Sequence, residues 1–220
     1  MNSRNFRLLS MLLLAALVGC SSGDDTPTTP TTPDTAAEYT TRGWQYFESD
    51  HFSEALSDFN AALGLVPTYG EAMAGKGWCN LKLSVGTSGL SAAATDFQAA
   101  LAANEEESYV IGGLAAVRLA QGADQLSNAI LLANAVVATD PSFVFSHQPS
   151  FNATDMILIS AFAYAAAGEF ELALTEADLI EPSDIEADYP STWVVEGTTY
   201  SSYIVAVLAH LHQLSEQYSG

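Results

Sequence analysis

Few side chains in this 220-residue chain have the type and spacing to do chemistry. The four histidines stand at positions 51, 147, 210 and 212. His210 and His212 lie two apart on an expected helix, so their rings diverge and do not share one metal ion. No His-Glu-x-x-His or Cys-x-x-Cys spacing occurs. Gly86-Thr87-Ser88-Gly89 lacks the second spacer residue and the strand-turn-helix setting of a nucleophile elbow, and reads as a turn. His51, after Asp50, reads as a turn residue rather than a general base. Between Glu176 and Asp188 six carboxylates crowd together. They lack the Asp-x-Asp-x-Asp-Gly order of a calcium loop and have the charge for weak cation binding at most. A non-catalytic protein with no cofactor and no metal centre is expected. What remains is recognition by area and charge, through Trp44, Phe47, Trp78, Leu81, Lys82 and Arg118.

The N-terminus says where such recognition would take place. Arg4 and Arg7 precede an apolar run from Leu8 to Val18, too short for a permanent membrane span and typical of a secretory signal. It ends Leu17-Val18-Gly19-Cys20, which resembles the lipobox of bacterial lipoproteins. The resemblance implies removal of residues 1–19 and lipidation of Cys20, leaving Cys79 without a disulfide partner and reading as a small buried hydrophobe. Residues 20–35 follow as a Thr/Pro-rich tether, extended and unpacked. Ser21 fits passage to an outer membrane in that family, and Ser21-Ser22-Gly23-Asp24-Asp25 looks like the acidic signal of surface-exposed lipoproteins. The expected location is the bacterial cell envelope, lipid-anchored, on either face of an outer membrane.

Charge narrows the partners. The chain has 26 acidic and six basic residues, a formal net charge of −20. Loss of Arg4 and Arg7 leaves Arg42, Lys76, Lys82 and Arg118, and no basic residue follows Arg118. Such a field repels phosphate backbones, so nucleic acid is not an expected partner.

From Ala36 onward apolar residues recur at three and four, in alanine-rich segments broken by Gly, Pro and polar turns. Helices are expected over about 36–48, 52–65, 70–84, 91–103, 107–121, 123–139, 154–167, 169–180 and 198–217, joined as antiparallel hairpins. The segment 184–199 is expected as a loop or short hairpin. The first unit carries Tyr39, Gly43, Tyr46, Ala55, Phe59, Ala62 and Pro67. At this spacing it resembles the tetratricopeptide repeat, with Arg42 in place of the usual leucine. Gly77 follows Gly43 by 34 residues, the family period, and Ala93, Phe97 and Ala100 repeat the second-helix set after four extra residues. A weaker third unit aligns Gly113, Ala129, Ala133 and Pro141, and a fourth Tyr164, Gly168, Phe170, Ala173, Ala177 and Pro182.

The resemblance implies an all-α fold: a right-handed superhelical stack of about four tetratricopeptide-like hairpins over 36–182. A loop and a C-terminal capping helix follow over 183–220. It also places the residue after each central glycine, and those three and four further on, on the concave face. These are Trp44, Phe47 and Glu48; Trp78, Leu81 and Lys82; Leu114, Val117 and Arg118; and Phe162, Ala165 and Ala166. Two readings stay open for this set: an apolar groove for an extended peptide, or a face covered by the chain's own tail or C-terminal helix. The basic clamp with which some family members bind acidic chaperone tails is missing, since Ala37, Thr40, Glu71 and Ala74 occupy its positions. The expected function is a lipid-anchored adaptor for a protein or peptide partner. A glycan or small-ligand binder using Trp44 and Trp78 is an alternative, as is a self-associating envelope subunit.

Overall fold

The computed structural model describes residues 35–103, 105 and 107–218. The expected signal segment 1–19, Cys20 and nearly all of the expected tether 20–35 lie outside them. Among the described residues four helical hairpins follow one another. They are α1 (Ala36–Glu48) with α2 (Phe52–Leu65), α3 (Gly70–Lys82) with α4 (Gly86–Ala102), α5 (Ser108–Gln121) with α6 (Leu126–Thr139), and α7 (Ala153–Ala167) with α8 (Phe170–Ala177). A two-stranded hairpin, β1 (Val194–Val195) and β2 (Thr198–Thr199), precedes α9 (Tyr203–Tyr218), which packs on α7 and α8. The all-α repeat architecture is as expected.

Local chemistry explains where the helices start. Thr35 accepts from the Glu38 backbone N–H while the Glu38 carboxylate reaches back, a reciprocal cap that opens α1. Asn152 and Asp155 do the same for α7, so the Asn152-Ala153-Thr154 tripeptide supplies a helix cap. The four extra residues of the second unit extend α4 by about one turn at its start, near 3.6 residues per turn, so Ala93, Phe97 and Ala100 keep their buried face. The expected start at 91 was late because Gly86 and Gly89 read as turn residues. Likewise the helix expected from 198 begins at 203, its first residues being taken by the hairpin whose turn holds Glu196 and Gly197 at positive φ. α8 stops at Ala177 rather than 180.

Glycine and phenylalanine set the spacing between repeats. A Cβ at Gly43 would stand 2.9 Å from the Phe59 ring, and one at Gly75 only 2.3 Å from it. Phe59 is thus clamped between the first helix of its own unit and that of the next. Phe97 repeats this between Gly77 (2.9 Å) and Gly113 (2.5 Å). Gly113 is therefore the counterpart of Gly75, and the counterpart of Gly43 and Gly77 is Ala115. The third unit is in register two residues later than the glycine pattern suggested. It follows that Ala116, not Leu114, stands where the first two units have tryptophan.

An ion pair also repeats. Arg42 spans to Asp58 through Nε and Nη2, both at 2.6 Å, and Lys76, 34 residues on, pairs with Asp96 at 3.0 Å. Both aspartates are buried beside the clamped phenylalanines. Hydrogen bonding to Asp58 raises the pKa of Arg42. In the third register the two positions are Leu114 and Leu132.

Candidate functional site

The tryptophans do share one face, but it is not open. Trp44, Phe47 and Trp78 are 3%, 3% and 2% exposed. Their cover is neither the tail nor the C-terminal helix. It is the segment between α6 and α7, which leaves the stack at Asp140-Pro141, runs back across the concave face and returns at Asn152. Burial alternates along it: Phe143 and Phe145 are buried, Val144 and Ser146 exposed, His147 half-buried. That is the period of an extended strand laid on a surface.

The segment is held by its own backbone and by rings. The Phe145 N–H donates to the Phe151 carbonyl at 2.9 Å, and the Ala153 N–H to that of Phe143 at 2.9 Å, around a Val144–Asn152 bridge. Phe145 is the anchor. Its ring stacks on Trp78 (4.7 Å, 23°) and Tyr109 (5.2 Å, 2°) and meets Trp44 edge-on at 5.8 Å. Phe151 meets Trp78 at 5.0 Å and lies 3.1 Å from where a Cβ on Gly112 would be. Bulk from the loop thus enters beside α5, whose Ala116 offers no indole of its own.

At the tip of the segment the chemistry becomes polar. The His147 ring lies parallel to the Trp44 indole at 4.1 Å, and its Nδ1 donates to Glu48 Oε1 at 2.7 Å. At the edge of the indole, Trp44 Nε1 donates to Glu71 Oε1 at 3.2 Å, and Glu71 Oε2 accepts from the Tyr69 hydroxyl at 3.1 Å. The Tyr109 hydroxyl donates to Glu105, and burial pushes both groups' pKa values up. Two clefts flank His147. An inner one of about 320 Å³ is bounded by Thr41, Trp44, Gln45, Glu48, Glu71 and His147. An outer one of about 380 Å³ lies against Glu48, Asp50, Phe52, Lys82 and Pro149, with His147 forming the wall between the two.

The remaining expected residues are placed as follows. Leu81 packs at the edge of the core, and Lys82 stands exposed at the outer cleft. Arg118 bonds Gln121 on α5 and, in the corrected register, falls two residues short of the position equivalent to Lys82. Cys79 is buried, and burial pushes its thiol pKa up to about 12. His210 is buried and His212 exposed, as their divergence required. No group of three or more His, Cys, Asp or Glu residues converges as a metal site among the described residues. Missed in the sequence were Phe143, Phe145 and His147. The alternation Phe143-x-Phe145-x-His147 after Asp140-Pro141 was the available signal, hidden because strand periodicity inside a helical repeat looks like a plain connection.

The hairpin stack with its glycine-phenylalanine clamps defines a tetratricopeptide fold, and solved structures agree. The chain is similar to YrrB, described as a TPR protein with an unusual peptide-binding site, at 17% identity and a TM-score of 0.57, covering 83% of this chain and 88% of that one. It is similar to MamA from Desulfovibrio magneticus RS-1 at 16% identity and a TM-score of 0.57, covering 84% and 96%. A thermophilic TPR protein of Thermus thermophilus aligns at 17% identity and a TM-score of 0.52, covering 83% and 91%. No family model and no curated protein matches the sequence.

Proposed function

We propose that this protein is a lipid-anchored scaffold of the bacterial cell envelope, held by Cys20 and docking a protein or peptide partner on the concave side of its repeats. The observation that carries the docking reading is the seated segment 143–151. An extended strand with alternate side chains buried lies across the concave face, so the face has the shape and the aromatic floor to hold such a strand. The peptide-binding site attributed to YrrB supports the same use of this fold. The anchoring reading rests on Leu17-Val18-Gly19-Cys20 and the Thr/Pro tether.

Two experiments test this. Growth of cells with a radiolabelled fatty acid should label the wild-type chain and leave Cys20→Ala unlabelled; an unlabelled wild type would reject the anchor. Co-purification of the cross-linked full chain from intact cells should yield a defined envelope partner. A chain recovered alone, as a single monomeric species, would reject docking. Self-cross-linking as the sole product would favour the self-associating subunit.

A further inference from the structure

The inner cleft is a ready-made seat for a planar N–H donor, and the His147 ring is its present occupant. It has an aromatic floor in Trp44, which is fixed in place by Phe59 and Phe145 at 5.0 and 5.8 Å and by its own N–H bond to Glu71. It has two carboxylates, Glu48 and Glu71, with neutral Thr41 and Gln45 completing the wall. No lysine or arginine lines it. Lys82 belongs to the outer cleft, where Asp50 also stands. The imidazole uses the seat in two ways at once: stacked at 4.1 Å and 2° on the indole, and bonded edge-on to Glu48 at 2.7 Å.

We propose that this cleft is an arginine-binding subsite, and that the partner enters it by displacing the tip His147–Ser150 while Phe145 stays anchored. The inference rests on the docking reading above and specifies the partner's chemistry. A guanidinium is planar like imidazole, stacks on indole faces, and offers a fork of N–H donors matched to a carboxylate. It therefore repeats both contacts of His147 and adds permanent charge opposite Glu48 and Glu71. Displacing the tip is far less costly than displacing the anchor. His147 is half-buried and Pro149 exposed, whereas Phe145 is 1% exposed among four aromatic rings. The strongly acidic chain, with 26 carboxylates against six basic residues, steers a basic segment towards the face. His147 acts as an internal competitor, present at the high effective concentration that a short loop confers.

The test is a nuclear magnetic resonance titration of the full chain with acetyl-Gly-Gly-Arg-Gly-Gly-amide and its glutamine counterpart, following the His147 ring signals. The arginine peptide should shift them towards free-histidine positions and the glutamine peptide should not. Removing the competitor in His147→Ala should tighten the arginine peptide about tenfold, and Glu48→Gln should weaken it by about tenfold. Gln45→Lys sets a cation in the cleft from an exposed position, outside the core, and should abolish binding. Equal response to both peptides, or unchanged affinity in His147→Ala, would overturn the proposal. If the arginine peptide fails while the cross-linked partner is still recovered from cells, the subsite is wrong and docking stands. Loss of both would reject docking itself.

Discussion

His147 lies flat on Trp44, 99 residues after Glu48, the residue that its Nδ1 bonds. Together with the contacts of Phe145 to Trp44 and Phe47, it joins the first repeat to the loop before the fourth and covers the concave face. It changes what the tryptophans are. Trp44 and Trp78 floor a face that the chain already uses, so removing them tests the fold before it tests a ligand.

Phe145→Ala should therefore be among the most damaging single substitutions. Truncating a fully buried phenylalanine costs about 3–5 kcal/mol, and its five ring partners all lose packing together. Urea unfolding followed by circular dichroism should show that loss. Trp44→Ala/Trp78→Ala should lose helicity rather than keep it. A stable Phe145→Ala chain would mean that the segment only rests on the stack.

The glycine clamps make opposite predictions at two alanine substitutions. Gly113→Ala would put a Cβ 2.5 Å from the Phe97 ring and should destabilise by about 1–3 kcal/mol, as overpacking does. Gly64, in α2, has nothing within 4 Å of its added Cβ. Gly64→Ala should stabilise by about 0.5–1 kcal/mol through helix propensity. Thermal midpoints moving in opposite directions would confirm the register; a tolerated Gly113→Ala would refute it.

The repeated ion pairs sit at the edge of the core, and breaking one should cost more than removing it whole. Arg42→Leu alone leaves the Asp58 carboxylate buried without its cation, for a loss of about 1–3 kcal/mol. Arg42→Leu/Asp58→Leu copies the Leu114 and Leu132 of the third unit and should recover most of it. Urea midpoints across the double-mutant cycle measure the difference.

Burial shapes two pH responses. Glu176 has a folded-state pKa raised by desolvation, so folding favours its protonated form. The stability it contributes is present below the ordinary carboxylate pKa and is lost as pH rises through the raised value. Glu176→Gln should thus increase stability at neutral pH, with little effect in acid. Cys79, its thiol pushed up to about 12, should resist a thiol reagent at pH 8 in the folded chain and react on unfolding.

How much of this was legible depended on whether a signal was periodic. Gly43, Phe59 and Ala62, with their copies Gly77, Phe97 and Ala100, reveal the fold because each spacing reflects a helix contact that recurs. The third register slipped by two because Gly112 and Gly113 mimic the pattern glycine while the true counterpart is Ala115, and alanine carries no signal in an alanine-rich helix. The shared face of Trp44 and Trp78 was readable from their equivalence, while their burial was one of two open readings. Their cover was not, since contacts between residue 147 and residues 44 and 48 leave no local trace. Arg42 looked like a lapse from the pattern and is half of a repeated ion pair, visible only once Asp58 and Asp96 are seen to lie 38 residues apart on matching faces.

Site-specific photocross-linking in intact cells tests docking on the concave side most directly. A photoreactive residue replaces Gln45, exposed in the inner cleft, or Leu131, exposed on α6. Position 45 should cross-link one envelope protein, Glu48→Gln should weaken the product, and position 131 should give none. A product at 131 and nothing at 45 would contradict docking on the concave side.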